Sequence, residues 1–175
     1  MSVELELLRQ SLAEPARDAK LNLEAVLRPD GPLTAAQRWG VAVAAAATAR
    51  NPRLVAAVTA RAAEEAGAAV VEDGLAAASL MAMNNVYYRF RHMFEKPAYR
   101  DKPARLRMNR LVKPAGNKVD FELFSLAASA INGCETCVRA HEEAVLAGGL
   151  TEDHVHDAVR IAAVINAAAL SVELT

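Results

Sequence analysis

The sequence predicts an all-α fold, and three observations support this prediction. Helix start and stop signals recur along most of the chain, no segment alternates apolar and polar residues as a strand does, and no hairpin signal is present. Hydrophobic residues make up 53% of the 175 residues, with alanine dominant, while aromatic residues make up 5%. A chain of this length can bury one core, so we expect a single helical domain over residues 1–175.

The first three helices are predicted from capping residues and prolines. The segment "SVELELLRQSL" opens on Ser2, which is a favourable N-cap. The second helix starts with Pro15, which is tolerated in a first helical turn, and stops before Pro29. The third helix carries Thr34 and Gln37 at the spacing of a capping box, in which each side chain bonds the backbone N–H of the other residue.

Two further helices complete the first half of the chain, at about residues 1–94. Asn51 is a favourable cap with Pro52 in the first turn, and Gly67 lies just past the end of this helix. A long helix is then predicted from about residue 72 to about residue 94.

Residues from about 95 to about 118 differ in composition from the rest of the chain. Three prolines and Gly116 break this segment into turns, and basic residues outnumber acidic ones. We interpret it as a Pro-rich linker that is a solvated connection or a subunit contact. A basic loop that binds a partner is the alternative interpretation.

The second half, about residues 119–175, is predicted to form three helices. Their sequences are "VDFELFSLAASAI", "GCETCVRAHEEAVLAGG" and "TEDHVHDAVRIAAVINAAALSVEL". A similar helix boundary occurs in each half, at an offset of about 80 residues. In the first half "EEAG" ends a helix and "VED" follows with the next, and in the second half "VLAGG" ends a helix and "TED" follows with the next. This weak similarity predicts two similar helical halves, each a helical hairpin followed by a third helix. Only the second half contains cysteines, so thiol chemistry belongs there.

Charge and hydropathy argue against several classes of function. The formal net charge is −1, which is not that of a general nucleic-acid or anionic-membrane binder. The longest apolar run, "GVAVAAAA", is far shorter than the roughly 20 residues that span a bilayer, and no signal peptide is evident. We therefore expect a soluble cytoplasmic protein, in which a close pair of cysteines is more often catalytic or metal-binding than structural.

The segment "GCETCVRAHEE" contains both cysteines of the chain and one of its four histidines. On a helix, Cys134, Cys137 and His141 fall on one apolar face, and the charged residues fall on the opposite face. Free N–H groups at a helix start favour a thiolate, whereas burial raises the pKa of a thiol. His141, one turn from Cys137, can decide this balance.

Glu122, in the preceding helix, is the fourth candidate site residue. If the two helices form a hairpin that turns near residues 132–133, Glu122 and His141 lie about ten and eight residues from the turn. Their axial levels then differ by roughly 3 Å, so we expect Glu122 to contact His141 directly or through one water. A carboxylate that polarises a histidine beside a thiol is a common way to generate a thiolate nucleophile.

The residues alone leave two alternatives to a redox-active dithiol. The cysteines and histidine of this segment supply three zinc ligands, and the fourth would have to be Glu122, His154 or His156. The cysteines can also be unreactive core residues. Thioredoxin places its Cys-x-x-Cys motif after a strand, whereas here a helix precedes the motif. The sequence therefore favours a dithiol enzyme on an all-helical frame.

At these residues the chain resembles the alkylhydroperoxidase AhpD family, within the carboxymuconolactone decarboxylase-like superfamily. The resemblance rests on Glu122, Cys134-x-x-Cys137 and His141, with "MNNVYYRF" and "SLAASAINGCETCVRAHE", and it spans nearly the whole chain. It implies a single AhpD-like domain, often assembled as a homotrimer, that reduces organic hydroperoxides. It also implies that the dithiol reduces the disulfide of a partner AhpC-type peroxiredoxin.

The resemblance implies an electron donor as well as a role for each site residue. Dihydrolipoyl groups on a lipoylated 2-oxo-acid dehydrogenase component supply the electrons, so dihydrolipoamide is a reducing co-substrate and no cofactor is bound. Cys137 attacks the peroxide and becomes the sulfenic acid, and Cys134 donates a proton and closes the disulfide. Glu122 and His141 form a proton relay.

One position departs from the family pattern. Thr136 stands where well-known members carry a histidine, so proton transfer by that histidine is absent and the rate or pH optimum can differ. The competing hypotheses are a zinc-bound helical module without turnover and a superfamily member that is not a peroxidase, such as a lactone decarboxylase. Lactone decarboxylation needs no thiol pair, which disfavours that reading.

Overall fold

The computed structural model describes residues 3–94 and 96–174, and this part of the chain contains ten α-helices and no strand. The all-α prediction is therefore confirmed. Ser2, the predicted first cap, and Glu95, the first residue of the predicted linker, lie outside the described residues. The helices are α1 (Val3–Ser11), α2 (Arg17–Val26), α3 (Ala35–Ala49), α4 (Pro52–Ala66), α5 (Ala68–Phe94), α6 (Pro97–Arg100), α7 (Asn109–Val112), α8 (Lys118–Ile131), α9 (Glu135–Ala147) and α10 (Glu152–Glu173).

The predicted caps of α3 and α4 are present. Gln37 N–H donates to Thr34 Oγ1 at 3.2 Å, and Thr34 N–H donates to Gln37 Oε1 at 3.0 Å, which closes the predicted capping box. At the start of α4, Asn51 Oδ1 accepts from Leu54 N–H at 3.0 Å. These side chains satisfy N–H groups that have no partner within the helix.

Some boundaries differ from the prediction. Helix α2 starts at Arg17, because Pro15 lies in a separate 3₁₀ turn, Glu14–Ala16, that precedes the helix. Helix α5 starts at Ala68 rather than near residue 72, because Gly67, at a φ of 88°, reverses the chain without a further loop. The linker contains two short helices, α6 and α7, and ends at Asn117, whose side chain caps α8.

Two triplets of helices form the core, α3–α4–α5 and α8–α9–α10. Helices α3 and α8 pack against each other at the centre, and the third helix of each triplet packs on the first helix of the other. Gly40 permits the close approach of α3 and α8, because a Cβ there would overlap the ring of Phe124. The two triplets have the same order of helices, which a duplication requires. The division of the chain into two similar halves itself stays a prediction.

Helix α10 is long and apolar enough to cross a bilayer by length and composition alone, and 44% of its most apolar window is buried within the protein. It packs on α2, α3 and α8. Core helices of soluble proteins share this length and composition, so the property is weak evidence for a membrane span.

Candidate active site

The turn between α8 and α9 places the first cysteine. Gly133 adopts a φ of 65°, its N–H donates to the Ala130 carbonyl at 3.1 Å, and Cys134 N–H donates to the Ser129 carbonyl at 3.1 Å. These two bonds and the left-handed glycine form a Schellman motif that ends α8. Helix α9 therefore begins at Glu135 with Cys134 as its N-cap. Asn132 and Gly133, the two residues before Cys134, complete the end of α8.

Cys134 and Cys137 are joined by a disulfide, with 5.3 Å between their Cα atoms. Cys134 is fully buried, whereas Cys137 is 7% exposed and lines a cavity. Only Cys137 of the pair thus reaches a space that a small molecule can enter. Among the described residues, no group of three or more His, Cys, Asp or Glu side chains is arranged to hold a metal ion.

Glu122 and His141 form a buried pair between α8 and α9. Glu122 Oε2 lies 2.6 Å from His141 Nδ1, so the contact expected from their axial levels is present. The other ring nitrogen, Nε2, lies 3.2 Å from the sulfur of Met81. A carboxylate is an acceptor, so His141 donates its Nδ1–H to Glu122, and the other ring nitrogen faces the Met81 sulfur.

A cavity of about 300 Å³ opens at Cys137 and His141. Thr136, which stands in place of the family histidine, also lines it and is exposed. The remaining walls are largely apolar and come from α5, the linker and α9. Those wall residues are Met81, Asn84, Tyr88, Met108, Leu111 and Ala140.

Asp73 of α5 holds the linker over this cavity. Its side chain is buried and accepts hydrogen bonds from Arg110 Nη2 at 2.9 Å, Ala115 N–H at 2.8 Å and Gly116 N–H at 2.7 Å. A carboxylate with three donors is a strong anchor, because each bond is charge-assisted. The anchored linker thus contributes two side chains, Met108 and Leu111, to the wall of the cavity.

Sequence reasoning missed the contribution of α5 and the linker to the site. Met81 and Tyr88 lie seven residues apart, which places them on one face of α5, and Tyr88 belongs to the segment "MNNVYYRF". The spacing is a usable signal. Met108 and Leu111 have no such signal, because their position depends on bonds between the linker and Asp73.

The fold and the site define a class: an all-helical protein with a Cys-x-x-Cys disulfide next to a buried histidine–glutamate pair. Residues 97–173 match the Carboxymuconolactone decarboxylase family. The chain is 71% identical, over 97% of its length, to the alkyl hydroperoxide reductase AhpD of Anaeromyxobacter dehalogenans strain 2CP-C and covers 91% of that protein. It is 47% identical, over 94% of its length, to the alkyl hydroperoxide reductase AhpD of Rhodospirillum centenum and covers 88% of it. The chain belongs to the AhpD family.

Proposed function

We propose that the protein is an alkyl hydroperoxide reductase that uses Cys134 and Cys137 as a redox-active pair. The observation that carries this proposal is the disulfide whose Cys137 end lines the same cavity as His141. The names of the similar proteins support the same activity. The apolar walls of the cavity favour organic hydroperoxides as substrates, because they stabilise an alkyl or aryl group by burial.

In the proposed reaction Cys137 is the attacking residue, because it is the cysteine that borders the cavity. Its thiolate forms a bond to the terminal peroxide oxygen while the O–O bond breaks, which leaves a sulfenic acid and an alkoxide. The alkoxide takes a proton and departs as an alcohol. The Cys134 thiol then gives up its proton and attacks the Cys137 sulfur, so that the disulfide forms and water leaves.

Glu122 and His141 are proposed to act as the proton relay of this site. A positive imidazolium near Cys137 favours the thiolate, and Glu122 stabilises that charge and fixes the ring orientation. The imidazolium is also a proton source for the leaving alkoxide, since it lines the same cavity as Cys137.

We further propose that a dihydrolipoyl group reopens the disulfide. One of its thiolates attacks the more exposed Cys137 sulfur to form a mixed disulfide, and its second thiol then releases the protein dithiol. The carrier is a lipoylated dehydrogenase component, and the recharged dithiol also reduces the disulfide of an AhpC-type peroxiredoxin. No bound cofactor takes part in this scheme, and the proposed location is the cytoplasm.

A homotrimer is the proposed assembly. The C-terminal part of α5, with α6, exposes an apolar surface that subunit contacts would cover. The side chains of this surface are Val86, Phe90, Met93, Phe94 and Tyr99.

Dihydrolipoamide-dependent consumption of an organic hydroperoxide tests the proposed activity. Purified protein should consume the hydroperoxide catalytically, and Cys134→Ser and Cys137→Ser should each abolish turnover with this donor. The same assay with a purified AhpC-type peroxiredoxin tests the second role. Absence of turnover, with about one zinc per chain and two thiols that survive stoichiometric peroxide, would instead establish the zinc-bound module.

A further inference from the structure

The turn that carries Cys134 is fastened to α5 by side-chain hydrogen bonds. Asn85 Nδ2 donates to Ser129 Oγ at 2.9 Å, and Asn85 Oδ1 accepts from Asn132 Nδ2 at 2.9 Å. Arg89, one helical turn further along α5, donates from Nη1 to the Asn132 carbonyl at 2.5 Å. Asn85 is 1% exposed, so water does not replace these bonds if they are lost.

These contacts are made to residues of the Schellman motif itself. Ser129 holds Asn85 through its hydroxyl, and its carbonyl accepts the Cys134 N–H at 3.1 Å. Asn132 immediately precedes Gly133, the residue that turns the chain at a φ of 65°. Asn85 thus binds the turn at two residues, Ser129 and Asn132, that precede the glycine directing the chain toward Cys134.

We infer that Asn85 is a positioning residue that sets the equilibrium between the dithiol and the disulfide. In the disulfide form the S–S bond itself fixes Cys134 against Cys137. In the dithiol form the S–S bond is absent. The sulfurs then stay close through the first turn of α9, where Val138 N–H donates to the Cys134 carbonyl at 2.9 Å, and through the preceding turn with its hydrogen bonds to α5. Asn85 therefore restricts the dithiol more than the disulfide, and this raises the effective concentration of one thiol at the other. The inference deepens the proposed function, because it assigns control of the same cysteine pair.

Equilibration with dithiothreitol tests this inference without any hydroperoxide. Oxidised dithiothreitol takes two electrons and two protons from the protein dithiol, so that one S–S bond forms in the protein and one breaks in the reagent. The disulfide fraction is measured by alkylation and mass spectrometry at defined ratios of reduced to oxidised reagent. Asn85→Leu keeps the side-chain size and removes both bonds, so we expect the equilibrium constant to shift roughly tenfold toward the dithiol.

Ser129→Ala and Asn51→Leu complete the experiment. Ser129→Ala removes the Asn85 bond from its other end and is conservative enough to fold; it should shift the equilibrium in the same direction. The double variant should shift it little more than Asn85→Leu alone. Asn51 is an equally buried asparagine whose amide binds the Ala169 carbonyl of α10, so Asn51→Leu should lower stability and leave the redox equilibrium unchanged.

The inference is wrong if neither Asn85→Leu nor Ser129→Ala moves the equilibrium further than Asn51→Leu does. Because the measurement uses no peroxide, an inactive enzyme with a shifted equilibrium would refute the proposed function alone. An active peroxidase with an unmoved equilibrium would refute the inference alone.

Discussion

Glu122 Oε2 and His141 Nδ1 lie 2.6 Å apart across α8 and α9, and both residues are buried. A buried carboxylate and a buried imidazole stabilise each other's charge, and removal of one leaves the other without a partner in a low dielectric. The same histidine lines the cavity that Cys137 borders. The pair is therefore placed to influence the charge state of Cys137.

Glu122→Gln removes this charge while it keeps the shape of the side chain. We expect the thiolate absorbance of reduced Cys137 at neutral pH to fall, and turnover to decrease roughly 10- to 10⁴-fold, the range for loss of an acid–base group. His141→Phe should give a similar loss, and the double variant should be little worse than either single one. Glu143→Gln is the matched control, because Glu143 is an exposed carboxylate on α9. Unchanged absorbance and rate in Glu122→Gln would show that no relay operates.

The two cysteines should behave differently toward peroxide. Cys137 borders the cavity and Cys134 is fully buried, so Cys134→Ser should accumulate a sulfenic acid at Cys137 that a dimedone-type probe traps. Cys137→Ser should give no adduct. Mass spectrometry of the labelled peptides measures both outcomes, and the opposite labelling pattern would mean that the two roles are exchanged.

Much of the fold was predictable because its signals are local. The Thr34–Gln37 capping box and the Asn51 cap involve residues three apart, and both are present. The Glu122–His141 contact was predictable for a similar reason. Two helices that meet at a short turn bring residues at equal distances from the turn to the same level.

The remaining features were not predictable from local pattern. In the sequence, Gly133 is compatible both with the end of α8 and with the start of α9. The observed Schellman hydrogen bonds assign it to the end of α8. Asp73 bonds residues 37 to 43 positions away in a segment without periodicity. No spacing rule relates such partners, so the contribution of the linker to the cavity needed the structure.

Leu111 should affect which hydroperoxides the enzyme accepts. It lines the cavity from the linker, so Leu111→Ala removes apolar surface that a bulky substrate would contact. We expect kcat/KM for an aryl hydroperoxide to fall roughly tenfold, and that for hydrogen peroxide to change less than about twofold. The adjacent Val112 is 69% exposed and is the matched control, with both values expected to stay near wild type in Val112→Ala. Equal losses for both peroxides would contradict a role in substrate selection.

Asp73 should stabilise the protein much more than its neighbour Glu72 does. Both carboxylates bind Arg110, but Glu72 is 62% exposed, whereas the Asp73 side chain is 2% exposed and also accepts two backbone N–H bonds. Asp73→Asn leaves at least one buried donor unpaired and should lower the free energy of unfolding by about 1–3 kcal/mol. Glu72→Gln should lower it by less than about 0.5 kcal/mol. Urea unfolding of both variants measures the difference, and equal effects would show that the linker is not anchored at Asp73.

Asp120, at the contact between α3 and α8, should make the stability of the protein depend on pH. It lies in the first turn of α8, and its Oδ1 accepts from Gln37 Nε2 at 2.9 Å. Burial raises the pKa of this carboxyl above its ordinary value of 3.8, and the hydrogen bond from Gln37 partly offsets the increase. The folded protein therefore binds this proton more tightly than the unfolded chain does.

The sign of the effect follows from proton linkage. Between pH 3.8 and the raised pKa, acidification stabilises the folded state through Asp120, and this contribution is lost as the pH rises through the same window. Asp120→Asn keeps an acceptor for Gln37 and does not titrate, so the stability of wild type relative to this variant should increase on acidification. Urea unfolding of both proteins from pH 7 to pH 3.5 measures the difference, which should stay below about 1 kcal/mol because Asp120 is only partly buried. A difference that is constant, or that grows toward neutral pH, would show that desolvation does not govern Asp120.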